Sequence, residues 1–173
     1  MVNFKIGAIY HPDNALEVQT AIRAFSDFFE ELTPKHKSRV SFQVLSEAPC
    51  PVYVYTLGEV AAKIDWKEVN TSINSTLCLQ LFDDVNLFLL MRSKSQDDFV
   101  RESLKRGMPV ISFLGNDTTP LVNISCGISM RPREQSSVAS ELTEHFENIY
   151  FDEAAHQLMC KNAIKRANEA LRL

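Results

Sequence analysis

The spacing of apolar residues along this chain switches repeatedly between two periods. Phe4 to Tyr10 is an apolar-rich run of strand length. From Ala15 to Leu32 the apolar residues Val18, Ala21, Ile22, Phe25, Phe28 and Phe29 recur at helical spacing, which predicts an amphipathic helix. His11-Pro-Asp-Asn14 joins the two, and Asp13 and Asn14 are both N-cap residue types. Val40 to Leu45 alternates and reads as a second strand. Val52 to Tyr55 is short and β-prone, and Val60 to Ile64 fits either a strand or a helical turn. Asp65 to Asp83 reads as a helix capped by Asp65, with Leu77, Leu79, Leu81 and Phe82 supplying its apolar side.

The clearest unit follows. Val85 to Met91 is an apolar strand, Asp97 to Arg106 a helix, and Pro109 to Phe113 a buried strand. Lys105 and Arg106 suit the negative end of a helix dipole, and Gly107 stops the helix. Strand, helix and strand at this spacing form a βαβ unit, and therefore a parallel sheet. Thr119 to Ile124 reads as a short helix and Gly127 to Met130 as a short strand. Ser136 to Tyr150 is a helix, and Asp152 to Leu173 a long closing helix with Ala155, Leu158, Met159, Ala163, Ala167 and Ala170 on one face. The expected fold is α/β: a single Rossmann-like domain over residues 1–173, a mostly parallel sheet flanked by helices, with a long C-terminal helix. In such sheets ligands bind beyond the carboxyl ends of the strands, so the loops Arg92 to Asp97 and Phe113 to Thr119 draw attention first.

Composition narrows the function classes. The chain has 173 residues, 45% hydrophobic, enough for a core that needs neither disulfides nor metals. Net charge is −4, and the one basic cluster, Lys35-His-Lys-Ser-Arg39, is a five-residue turn, so nucleic acid is not an expected partner. The four cysteines, at 50, 78, 126 and 160, have no metal-ligand spacing and read as small buried hydrophobes in a reducing compartment. No leader pattern precedes the first strand and no apolar run reaches transmembrane length, so a cytoplasmic location without a transmembrane segment is expected. The four histidines show no metal spacing either.

Several local patterns then fall in one order. They are Lys5-Ile-Gly-Ala-Ile-Tyr10 with Ala21-Ile-Arg-Ala-Phe25, Phe42-Gln-Val-Leu-Ser-Glu47, and Asp84-Val-Asn-Leu-Phe-Leu-Leu90. After them come Glu102-Ser-Leu-Lys-Arg-Gly-Met-Pro-Val-Ile-Ser112, Pro120-Leu-Val122, Cys126-Gly-Ile-Ser-Met-Arg-Pro132 and Asn162-Ala-Ile-Lys-Arg-Ala167. In this order they resemble the C-terminal, nucleotide-sugar-binding half of GT-B glycosyltransferases. The segment from Glu102 resembles that family's "E-A-M-A-x-G-x-P-V-I-A" most directly.

The resemblance implies a set of donor positions. Glu102 would contact the donor ribose. The upstream carboxylate of the family's E-x7-E motif falls at Lys94, beside Ser95, and neither is a carboxylate. The family's first loop supplies an Arg and a Lys to the diphosphate. Here it reads Tyr10-His-Pro-Asp-Asn-Ala-Leu16, with His11 near the Arg position, Leu16 near the Lys position and Asp13 adding negative charge. Backbone N–H groups after Asn14 would remain to hold an anion. The family's "D-x-G-G" turn falls on Leu114 to Thr119, so Gly115, Asn116, Asp117 and Thr118 join the candidates.

The implied function is binding of a nucleotide diphosphate sugar, as donor substrate rather than cofactor, within a two-domain or two-subunit sugar transferase. A partner domain or subunit would supply the acceptor site, with homo-oligomerisation also open. Alone, the chain is expected to turn nothing over. A different function stays open beside it. The missing phosphate clamp and upstream Glu also fit a catalytically degenerate Rossmann-like module for protein binding or assembly.

Overall fold

In the computed structural model the strand β1 (Phe4–Tyr10) lies at the centre of a six-stranded sheet. The structure describes residues 3–92, 96–113, 121–131 and 134–170. The other strands are β2 (Val40–Ser46), β3 (Ile64–Glu68), β4 (Leu87–Leu90), β5 (Val110–Ser112) and β6 (Gly127–Ser129). Their spatial order is β3-β2-β1-β4-β5-β6, and every pairing is parallel. Successive strands are joined through helices or long loops, as parallel pairing requires. The helices are α1 (Ala15–Glu31), α2 (Pro34–Lys37), α3 (Thr76–Asp84), α4 (Gln96–Lys105), α5 (Gln135–Phe151) and α6 (Glu153–Ala170).

Strand periodicity sorts side chains between two cores. Phe4, Ile6 and Ala8 of β1 point to one face, where Val40, Phe42 and Val44 join them under α1 and α5. Ile9, Leu45, Phe88 and Leu90 face the other layer, built by α3, α4 and α6. The apolar stripe of α1 is buried as its spacing predicted. Phe28 is its hub, with ring centroids 5.8 Å from Tyr150, 6.0 Å from Phe146 and 6.3 Å from Phe4.

Helix ends follow local chemistry. The Ser75 hydroxyl accepts from Cys78 N–H at the start of α3, and the Asp152 carboxylate accepts from Ala155 N–H at the start of α6. At the end of α4, Met108 N–H donates to Ser103 O at 2.9 Å and Gly107 N–H to Leu104 O at 3.0 Å, a Schellman cap. Gly107 holds φ of 71°, and a β-carbon there would lie 3.1 Å from Ile164 of α6. Gly107→Ala is therefore expected to cost about 1–3 kcal/mol, from left-handed backbone plus crowding. A denaturation midpoint equal to the parent's would refute this reading of the turn.

Four elements differ from the sequence expectations. Asp65 caps no helix: it lies in the edge strand β3, and the helix expected from there begins only at Thr76. β3 carries just two half-buried apolar residues, Ile64 and Trp66, too few for period 2 to stand out. Val52–Thr56 is a 3-10 helix rather than a strand, with Val54 alone buried. Gly58–Lys63 is also 3-10, the helical-turn alternative. Residues 121–124, the described part of the helix expected from Thr119 to Ile124, are turn and irregular backbone. In α6, Ala155 and Leu158 face outward, and His156, Ala163 and Ala167 do the packing. His156 is held inward by a 2.9 Å contact between its Nε2 and Asn86 O.

Candidate functional site

Chain direction across the sheet reverses between β1 and β4: β2 and β3 lie to one side, β5 and β6 to the other. The loops leaving neighbouring strands at such a reversal diverge to opposite faces, opening a crevice above their carboxyl ends. The two loops here are His11–Asn14, after β1, and the segment beginning at Arg92, after β4.

Asn14 ties them together. Its side chain is fully buried. Its Oδ1 accepts from His11 N–H at 2.9 Å, while its Nδ2 donates to Ile9 O at 3.1 Å and to Arg92 O at 3.0 Å. Asn14 is also the N-cap residue of α1, but its side chain makes no cap hydrogen bond there. The candidate ligand Asn14 thus works as a positioning residue, holding one loop against the other. Beside it His11 is half-buried and Asp13 exposed, in the 3-10 turn Pro12–Asn14.

Glu102 lies well inside α4, as the helix expected from Asp97 to Arg106 implies. It is the seventh residue of α4, about 9 Å along the axis from its first residue. Its carboxylate lies 2.9 Å from Lys105 Nζ and 3.8 Å from Arg106 Nε. Arg106 in turn pairs with Asp83. The Glu102 charge is thereby neutralised toward the C-terminal end of α4, not at an N-terminal turn. The first turn carries Asp97 and Asp98 instead. Lys94, Ser95, Gly115, Asn116, Asp117 and Thr118 lie outside the described residues.

Two cations at the carboxyl rim were not singled out from sequence. The guanidinium of Arg92 is 70% exposed and 3.9 Å from Glu17 of α1. Arg131, just past β6, is exposed. The available signal was their place in the sequence: a basic residue directly after an apolar strand stands over the sheet's carboxyl end. The far side of the rim is closed by Thr71, whose N–H and hydroxyl both donate to Glu47 at 3.3 Å. Tyr10 and Trp66 pack with ring centroids 5.1 Å apart, and Trp66 Nε1 donates to Ala48 O. Burial pushes the Tyr53 hydroxyl beside them up to about 12, so it stays a neutral donor.

No known family model matches the sequence, and no curated protein does. Solved structures do. The pneumococcal O-GlcNAc transferase GtfA, in complex with UDP and GlcNAc, superposes with a TM-score of 0.73 at 12% identity, over 97% of this chain and 33% of its own. WaaG, a glycosyltransferase of lipopolysaccharide biosynthesis, gives 0.73 at 14% identity, over 96% of this chain and 43% of its own. The C-terminal domain of the Francisella tularensis group 1 glycosyltransferase LpcC gives 0.71 at 12% identity, over 96% and 85%. This chain has the fold of a GT-B C-terminal half. It spans about a third of GtfA's length and most of the LpcC domain.

As a GT-B-like half, the domain presents its sheet reversal where Asn14 and Arg92 meet. Among the described residues no group of three or more His, Cys, Asp or Glu is placed to hold a metal. No described helix is long and apolar enough to cross a membrane. All four cysteines are free thiols; Cys78 and Cys126 are buried, and burial pushes both thiols up.

Proposed function

We propose that this chain binds a nucleotide-sugar donor as one half of a two-part sugar transferase, with the acceptor site supplied by a partner domain or subunit. The observation that carries the reading is the strand-order reversal at β1 and β4, with both flanking loops pinned by Asn14, in a fold shared with glycosyltransferases. The diphosphate would lie over the reversal, near the N-terminal N–H groups of α1 and the Arg92 guanidinium. Fixed cations and backbone donors there would stabilise charge on the departing diphosphate. Glu102 serves the ribose in this reading only if its carboxylate exchanges its Lys105 and Arg106 partners for a hydroxyl. The isolated chain should transfer no sugar, because transfer needs the acceptor held in line.

A second reading, a degenerate binding module, draws on two observations. The first loop presents a half-buried His11 and an acidic Asp13 rather than two cations, and Glu102 is already paired.

Calorimetric titration with UDP, GDP, ADP and CMP separates the two. Donor binding predicts one nucleotide bound at about millimolar or tighter, weakened about tenfold or more in Arg92→Ala by loss of a charge-assisted bond. Glu102→Ala in parallel reports on the ribose role. Absence of binding to all four nucleotides would reject the donor reading in favour of the module.

A further inference from the structure

The opposite end of the sheet carries a second polar concavity. It is lined by Lys5, Ser38, Arg39, Ser41, Lys63 and Asp65, at the amino ends of β1, β2 and β3. Strand register explains the grouping. Lys5 pairs with Ser41, and Gln43 pairs with Asp65, so these positions share the sheet face opposite the Phe4, Phe42 and Ile64 side. Lys63, the last residue of the 3-10 turn Gly58–Lys63, immediately precedes Ile64, which pairs with Phe42. β2 separates β1 from β3, so at about 4.8 Å per strand Lys5 and the start of β3 lie about 10 Å apart, a gap that two lysine side chains bridge through one anion. Arg39 comes from the turn between α2 and β2, a third independent element.

The electrostatics favour an anion. The chain as a whole is acidic, with 22 Asp and Glu against 18 Lys and Arg. Yet among the described residues Lys5, Arg39 and Lys63 form no ion pair. The carboxylate in the concavity, Asp65, pairs with Lys67 at 3.3 Å. The Ser41 hydroxyl stands among the cations as a neutral donor, while the Ser38 hydroxyl donates to Lys35 O at 2.8 Å. Three cations lining one concavity, with the Ser41 hydroxyl among them, suit a multiply charged phosphate better than a single carboxylate.

We propose that this amino-end concavity binds a phosphate-bearing anion, at a site separate from the sheet reversal. β1 runs for seven residues between the two, about 20 Å, so the inference stands whether or not a nucleotide binds at the carboxyl end. The phosphate is that of a soluble polyanion or of a phospholipid headgroup, and the test has an arm for each.

The first arm is a low-salt titration of the isotope-labelled chain with inorganic pyrophosphate, followed by amide shifts. Saturable shifts are expected at Lys5, Ser41 and Lys63, with a dissociation constant of about a millimolar or tighter. The double variant Lys5→Ala, Lys63→Ala should weaken binding about tenfold or more. Lys165→Ala, at an exposed position of α6, and Arg92→Ala, at the carboxyl rim, should leave these shifts unchanged. The second arm is sedimentation with phosphatidylcholine vesicles with and without phosphatidic acid. Sedimentation that needs phosphatidic acid and is lost in the double variant assigns the site to a headgroup. Pyrophosphate binding without sedimentation assigns it to a soluble anion. No variant-sensitive response in either arm, or shifts confined to residues 11–14 and Arg92, overturns the proposal. UDP binding that survives the double variant would keep the two sites' tests apart.

Discussion

Asn14→Ala is expected to lower stability by about 2–4 kcal/mol. Truncation strands three backbone groups at once: Ile9 O and Arg92 O lose their donor, and His11 N–H loses its acceptor. A buried group left unpaired costs about 1–3 kcal/mol, and partial solvation of the opened loops offsets part of the sum. For a chain of this size that corresponds to a melting temperature lower by about 5–15 °C. In the proposed donor-binding reading, nucleotide affinity should fall with it, because the loops flanking the reversal are no longer registered to each other. Asn14→Asp adds a directional check. Its buried carboxylate keeps the acceptor but gives up both donations, so the loss near neutral pH should be at least as large. Part of it should return as pH falls, since the protonated acid donates one bond again. A melting temperature unchanged in Asn14→Ala would show that the loops are held by something else.

Phe28→Ala should cost still more, about 3–5 kcal/mol. The ring is fully buried and meets Phe4 of β1, Phe25 of α1, and Phe146 and Tyr150 of α5. Truncation removes the edge-to-face partners of a cluster that spans sheet and both helices, and the surrounding rings are too rigid to close the void. Urea denaturation of Phe28→Ala and Phe28→Leu measures it. Leucine should recover most of the loss, since it refills much of the volume. A midpoint shift in Phe28→Ala worth less than about 1 kcal/mol would mean the α1–α5 layer is not where stability resides.

How much of this was readable beforehand depended on whether the cause was local. α1 announced itself because six apolar residues recur on one buried face. The turn at Gly107 did so because a basic last turn and a glycine stop are written within a few residues. β3 did not, because an edge strand half-covered on one side needs only Ile64 and Trp66 to be apolar. Val52–Thr56 misled for a different reason. Its residues favour extended backbone, but the chain between Pro51 and the positive-φ Gly58 has to coil, and tertiary context overrides a weak propensity.

The candidate site was harder to read because its geometry is assembled from far apart. Asn14 looked like a cap or a ligand. Its decisive partner, Arg92 O, lies 78 residues away and is main chain, invisible to any motif. Glu102 falls inside a helix as its pattern predicts, but no motif shows that Lys105 and Arg106 pair with its carboxylate. The amino-end cations were likewise dispersed: Lys35 to Arg39 reads as a solvated turn, and only the fold brings Arg39 into one concavity with Lys5 and Lys63.

The position of β1 also shapes how the chain is made. It is the central strand and needs a neighbour on each side. Its first pairing, Phe4 with Val40, waits for 36 residues, and its second, Ile6 with Leu87, for 81. At about 5–20 residues per second, the second edge of a seven-residue apolar strand stays bare for roughly 4–16 s. During synthesis the fold's middle is its most exposed part, and β4 arrives as the piece that seals it.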